Sequence, residues 1–144
     1  MTDHISRSHR SWNMSRIRGK NTRPEMVVRS ALHRLGYRFR LHRKDLPGQP
    51  DIVLPKHGIV IFVNGCFWHR HKGCSRTTTP KSNTAFWEKK FSDTISRDKK
   101  QQRLLKKAGW RVLIFWECQV DDSKRLSTKL NTLANLIKER EIIS

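Results

Sequence analysis

Phe62-Val-Asn-Gly-Cys66-Phe-Trp-His69-Arg-His71-Lys-Gly-Cys74 packs two cysteines, two histidines and an adjacent aromatic pair into one short stretch. It grows out of Ile59-Val-Ile-Phe-Val63, a continuously apolar run that reads as a buried central strand. The chain's other cysteine, Cys118, ends a second apolar run, Arg111-Val-Leu-Ile-Phe-Trp-Glu-Cys118. Neighbouring strands lie about 4.8 Å apart. If the two strands end at the same sheet edge, Cys118 joins Cys66, His71 and Cys74 in a tetrahedron suited to zinc. Three thiolates and an imidazole leave no open position, so such a zinc is structural. The alternative is three unpaired thiols beside a surface His71.

The rest of the chain builds outward from these strands. Thr22-Arg-Pro-Glu25 is a capping-box pattern with proline in the first turn. Val27, Val28, Ala31, Leu32 and Leu35 continue it at helical spacing until Gly36 ends the helix. Tyr37–Arg43 alternates apolar and basic residues, as a half-exposed strand does. Asp51–Leu54 is a short strand between the turns Pro47–Asp51 and Pro55–Gly58. A long helix is expected from about Thr84 to Ala108, with Trp87, Phe91 and Ile95 as its buried stripe. Its middle, Arg97–Arg103, has no apolar residue and is expected to project or to face a ligand. Leu126, Leu130, Leu133 and Ile137 give a last helix its inner face. The order is helix, three strands, helix, strand, helix: an α/β chain with a mixed central sheet and helices on both faces. Residues 1–21 read as a basic arm and residues 22–144 as one domain.

Charge narrows the partner. Among 144 residues, 31 Lys and Arg stand against 12 Asp and Glu, a net charge of +19. Such an excess implies a polyanion, foremost a nucleic acid. No run approaches the roughly 18 apolar residues of a membrane span. The N-terminus has no apolar signal region, so a cytosolic protein is expected, without a membrane partner.

Asp51 stands twelve residues before Val63, and pairing of their strands brings the two together. A carboxylate at such an edge can hold Mg²⁺, which polarises phosphate and activates water; Glu25 could complete the shell. The bland alternatives are an Asp51 that caps a turn after Pro50 and a Glu25 that only serves the capping box. Phe67 and Trp68 lie between metal ligands and could wedge between base pairs or form a small core over the zinc. His69 could move a proton near neutral pH or serve the zinc.

Together these residues resemble the very-short-patch DNA mismatch repair endonucleases. The resemblance rests on Arg7-Ser-His-Arg-Ser-Trp-Asn-Met14, Leu46-Pro-Gly-Gln-Pro-Asp51, Val60-Ile-Phe-Val-Asn-Gly-Cys-Phe-Trp-His69, Phe86-Trp-Glu-Lys89 and Gly109-Trp-Arg-Val-Leu-Ile-Phe-Trp-Glu-Cys118. It implies a restriction-endonuclease-like fold of the PD-(D/E)xK superfamily with one structural zinc. It implies Mg²⁺-dependent nicking, with two ions bridging the scissile phosphate, 5′ of the thymine in T·G mismatches left by deamination of 5-methylcytosine. Asp51 and the Val63 carbonyl then hold Mg²⁺, and His69 is the general base or water-positioner. Phe67 and Trp68 intercalate, Met14 is a wedge from the arm, and Cys66, His71, Cys74 and Cys118 bind zinc. The setting is the bacterial cytoplasm, at the nucleoid during repair. A monomer suffices for a nick, with mismatch-repair coordinating proteins as further partners.

One departure matters. The family pattern has histidine before Gly65, where this chain has Asn64. An amide can contact phosphate or a bound water but cannot transfer a proton at neutral pH. Two other readings follow: a non-catalytic zinc module that binds distorted DNA, and a nicking enzyme of broader target range attached to a restriction–modification system.

Overall fold

The computed structural model describes residues 21–143, with side chains as far as Glu139. Met14 and the basic arm before residue 21 lie outside the described residues.

Four strands form one sheet in the order β1-β2-β3-β4: β1 Arg40–Leu41, β2 Ile52–Leu54, β3 Ile59–Asn64 and β4 Arg111–Trp116. β1 and β3 run antiparallel to β2, which lies between them, and β4 runs parallel to β3. The β3–β4 register pairs Asn64 with Trp116, so both strands end at the same edge. Helix α1 is Arg23–Arg34, α2 Thr84–Lys107, α3 Glu117–Val120 and α4 Ser123–Ile143.

Helices cover both faces, as the patterning implies. On one face Val28 and Leu32 of α1 and Leu133 and Ile137 of α4 pack over Ile52, Leu54, Ile59, Ile61, Leu113 and Phe115. On the other, Leu105 of α2 closes over Val53 and Val60. β3 supplies alternate side chains to the two faces, which is why its sequence is apolar throughout. The cap of α1 forms as read, with the Thr22 hydroxyl accepting the Glu25 N–H at 3.3 Å.

Three readings need correction. The alternating segment Tyr37–Arg43 pairs only through Arg40–Leu41, because His42 turns into the left-handed region at φ 48° and ends the ladder. Leu35 lies beyond the packed stripe of α1 and is exposed. On α2, Ile95 faces outward, and the inward stripe runs Trp87, Phe91, Thr94, Asp98, Gln101, Leu105. That stripe keeps the three-and-four helical spacing but changes from apolar to polar midway. In the polar middle of the helix Arg97, Lys99, Lys100 and Arg103 are exposed, as expected, while Asp98 and Gln101 turn inward.

Candidate functional site

At the shared edge of β3 and β4 the chain gathers its sulfur. Cys66 is fully buried just past β3, and Cys118 lies in α3 just past β4. The Cys118 N–H donates to Cys66 Sγ at 3.4 Å. His71 Nδ1 lies 3.6 Å from Cys66 Sγ and 3.4 Å from Cys118 Sγ, and with Cys74 all four ligand atoms fall within 4.8 Å of one another. A zinc tetrahedron with ordinary Zn–S and Zn–N bonds has S–N edges of about 3.5 Å. The cluster thus has the size and donor set for that ion, and all three cysteines are free thiols. His71 is held by stacking on Trp116, with ring centroids 4.2 Å apart. Its carbonyl and that of Cys66 both accept from the Thr77 hydroxyl, which pins the loop.

Their surroundings shift the titratable groups of the cluster. Burial pushes the Cys66 thiol up to about 12. The Arg76 N–H holds Cys74 below its ordinary value, and burial, with Arg125 and Lys129 nearby, holds the His71 imidazole below its own. A neutral imidazole is the form that ligates.

A second cluster forms where β2 begins. Asp51 is buried, and its Oδ2 accepts the Val63 N–H at 2.7 Å. The twelve-residue separation thus closes as the strand pairing requires. Burial, reinforced by the charge of Glu25, pushes Asp51 up to about 7 against the opposing pull of the Val63 N–H. Glu25 is 1% exposed and does more than cap its helix. Its Oε1 accepts the Asn21 N–H at 3.0 Å, and its Oε2 meets His42 Nε2 at 2.8 Å. Glu25, His42 and Asp51 bring one donor atom each within 4.8 Å of the others.

A cleft of about 630 Å³ opens beside Asp51, lined by Asp51, Val63, Asn64, Phe67, Trp68 and His69 among others, with Lys90 and Arg97 on its α2 wall. Asn64 is buried at its base. His69 Nδ1 stands 2.6 Å from Asp98 Oδ2. An ionised carboxylate can only accept, so Nδ1 carries the hydrogen and Nε2 is left as the basic nitrogen. Phe67 and Trp68 are half-buried. Phe67 meets Trp68, Trp87 and Phe91 edge-on at centroid distances of 5.0, 5.9 and 5.4 Å, beside exposed Phe86. Arg70 stacks on Phe91 at 3.8 Å and donates to the Phe67 carbonyl. The pair is therefore braced from below while still lining the cleft.

The sequence reading missed Asp98, His42 and Trp87. Asp98 was legible in principle, four residues beyond Thr94 and seven beyond Phe91, on the same helical face. His42 had no periodic signal, because its backbone leaves the strand. Trp87 sits in a motif already noticed but was assigned only to the core.

A basic chain with a buried carboxylate and a braced histidine beside one cleft carries groups that a phosphodiester-cleaving site can use. Residues 2–76 match the family described as DNA mismatch endonuclease Vsr, and the chain belongs to that family. It is 48% identical over 133 residues to the type II nicking enzyme V.XorIIP of Xanthomonas oryzae pv. oryzae, covering 92% of this chain and 97% of that protein. It is 41% identical to the type II nicking enzyme V.NmeAIP of Neisseria meningitidis, over 96% of this chain and 99% of the relative. To the DNA mismatch endonuclease Vsr of Escherichia coli it is 37% identical, over 92% of this chain and 84% of the relative. Among the described residues, no helix is long and apolar enough to cross a membrane.

Proposed function

We propose that the protein nicks one strand of duplex DNA 5′ of the thymine in a T·G mismatch and so starts very-short-patch repair of deaminated 5-methylcytosine. The observation that carries this is the juxtaposition, around one cleft, of the Asp51 carboxylate on the Val63 backbone with the Asp98-braced His69. Asp51 and the Val63 carbonyl would hold a divalent cation, Mg²⁺ in the family reading, with Glu25 able to complete its shell. When bound, the cation polarises the scissile phosphate and neutralises its growing charge.

The protein's own residues do the rest. His69 Nε2 takes the proton of the attacking water as its oxygen bonds phosphorus; one P–O ester bond breaks, and its electron pair goes to the leaving sugar oxygen, which takes a proton from solvent water. Asp98 fixes the tautomer and steadies the imidazolium that forms. Asn64, with no proton to move, donates its amide N–H to phosphate or water. Phe67 and Trp68 enter the opened base step, backed by Trp87 and Phe91. Cys66, His71, Cys74 and Cys118 hold a structural zinc that fixes the loop presenting the aromatic pair and His69. The fold is read as restriction-endonuclease-like.

A second reading has its own support. The two relatives at 48% and 41% identity are named type II nicking enzymes, against 37% for the mismatch endonuclease. On that reading the sequence around the target follows a companion restriction–modification system. Single-turnover nicking of end-labelled duplexes in several sequence contexts separates the two, each with T·G or matched C·G and with Asp51→Ala as control. A nick 5′ of the mismatched T in one or a few contexts, lost in the mutant, supports the mismatch reading. Equal cutting of matched duplex would remove it.

A further inference from the structure

We propose that His42 is a metal ligand, completing with Glu25 and Asp51 a mixed nitrogen–oxygen cation site that favours Mn²⁺ or a similar transition ion over Mg²⁺. The inference rests on the divalent-cation reading above and names the ion class and a ligand that reading does not use.

Three observations carry it. First, one donor atom each from Glu25, His42 and Asp51 falls within 4.8 Å of the others. An octahedral ion with bonds near 2.1 Å has neighbouring donors about 3 Å apart and opposite donors about 4.2 Å apart. The His42 Nε2 to Glu25 Oε2 distance of 2.8 Å is close to the shorter of these. Second, His42 sits at φ 48°, a region non-glycine residues enter rarely and at a cost. Its N–H is tied to the Asp51 carbonyl at 3.1 Å, so the turn that ends β1 hangs on the residue that carries the carboxylate. The ladder ends at Leu41, and the His42 imidazole reaches Glu25. Third, the two carboxylates are buried, Glu25 at 1% and Asp51 at 8% exposure. Arg29, 3.5 Å from Glu25, is the guanidinium facing the cluster. Burying two acids side by side is costly, and a cation bound between them would lower that cost.

The donor set gives the preference. Mg²⁺ demands hard oxygen ligands in near-ideal octahedra, whereas imidazole suits the divalent transition ions. Mn²⁺ shares the carboxylate preference of Mg²⁺ and, as a first-row transition ion, tolerates an imidazole better than Mg²⁺ does.

The test uses zinc-loaded protein, free and bound to a nicked T·G duplex, titrated with Mn²⁺. Electron paramagnetic resonance reports bound ion, and electron spin echo modulation reports directly coordinated ¹⁴N. The expected result is bound Mn²⁺ with imidazole-type ¹⁴N modulation, lost in His42→Gln. Mn²⁺ affinity should weaken at least tenfold in that variant while Mg²⁺ affinity, read by competition, changes less. Asp51→Asn should remove both ions. Mn²⁺ that binds through Asp51 with no ¹⁴N modulation, or with modulation that survives His42→Gln, overturns the His42 assignment and leaves the nickase reading standing. Nicking of the T·G duplex that persists after divalent cations are removed, with no ion bound, overturns the divalent-cation reading itself.

Discussion

His69 Nδ1 and Asp98 Oδ2 stand 2.6 Å apart, across the junction between the loop after β3 and the middle of α2. Both side chains are largely screened from solvent, at 28% and 18% exposure. The carboxylate decides which imidazole nitrogen is basic, so its effect on rate should exceed its effect on binding. Asp98→Asn is isosteric but can reverse the hydrogen bond and select the wrong tautomer. Single-turnover nicking should fall by about 10²-fold or more, in the range of a lost general base. Duplex affinity should hold. Combining it with His69→Ala should add little, because the two act as one unit. Additive losses in the double mutant would show that Asp98 acts elsewhere.

Asp51 gives a pH signature with a definite sign. Its ordinary value is 3.8, and burial in the fold pushes it up to about 7. Below 3.8 both folded and unfolded states hold the proton, and the group costs nothing. Between 3.8 and 7 the unfolded chain ionises while the folded one does not, so stability falls as pH rises. Above 7 the cost is complete, on the order of 4 kcal/mol. Protein dialysed free of Mg²⁺ and Mn²⁺ but retaining zinc should lose thermal stability between pH 5 and 8. Asp51→Asn should lose much less. Adding Mn²⁺ at pH 8 should restore the wild type and leave the mutant unchanged. Parallel pH slopes for the two proteins would refute the burial argument.

The sulfur cluster should couple metal uptake to protons. Burial holds Cys66 protonated at neutral pH until a cation replaces its hydrogen, so zinc must displace protons on entry. Competition with a chelator should show zinc affinity rising from pH 6 to pH 8. Cys118→Ala removes one corner of the tetrahedron and with it the metal-borne tie between the loop after β3 and α3. That variant should lose its one zinc per chain, by elemental analysis, and melt at lower temperature. A Cys118→Ala protein that keeps both zinc and melting temperature would exclude the closed four-ligand site.

Most of the frame was legible because it depends on local pattern. The apolar run Ile59–Val63 could only be buried on both faces, and the capping box announced α1 within a residue. The separations between Asp51 and Val63 and between Cys66 and Cys118 became contacts once strand pairing was assumed. What escaped depended on single backbone angles or on polar packing. His42 leaves its strand through one left-handed residue, which no alternation pattern encodes. Asp98 and Gln101 look solvated in sequence because α2 continues its inward stripe with polar side chains. Ile95 fits the stripe by hydrophobicity, yet lies one position off the face shared by Phe91, Thr94 and Asp98.

That polar packing is itself testable at Gly48, in the loop leading into Asp51. Gly48 adopts φ +75°, and a Cβ built there would lie 2.9 Å from Gln101 Oε1, 3.1 Å from its Cδ and 3.2 Å from its Cβ. The first two atoms belong to a side chain that can swing away; the Cβ cannot move without α2. Gly48→Ala therefore combines left-handed strain with a push on the helix that carries Asp98. The cost should be about 1–3 kcal/mol in unfolding free energy. Nicking should fall as well, because the displaced helix shifts Asp98 from His69 and the loop shifts Asp51 from Val63. Adding Gln101→Gly removes the packing conflict and leaves the backbone strain and a poorer helix. Double-mutant cycles should therefore show coupling of at least about 0.5 kcal/mol between positions 48 and 101. Recovery of nicking in the double mutant should accompany that coupling. Strict additivity in stability would mean that the loop before Asp51 does not rest on the middle of α2.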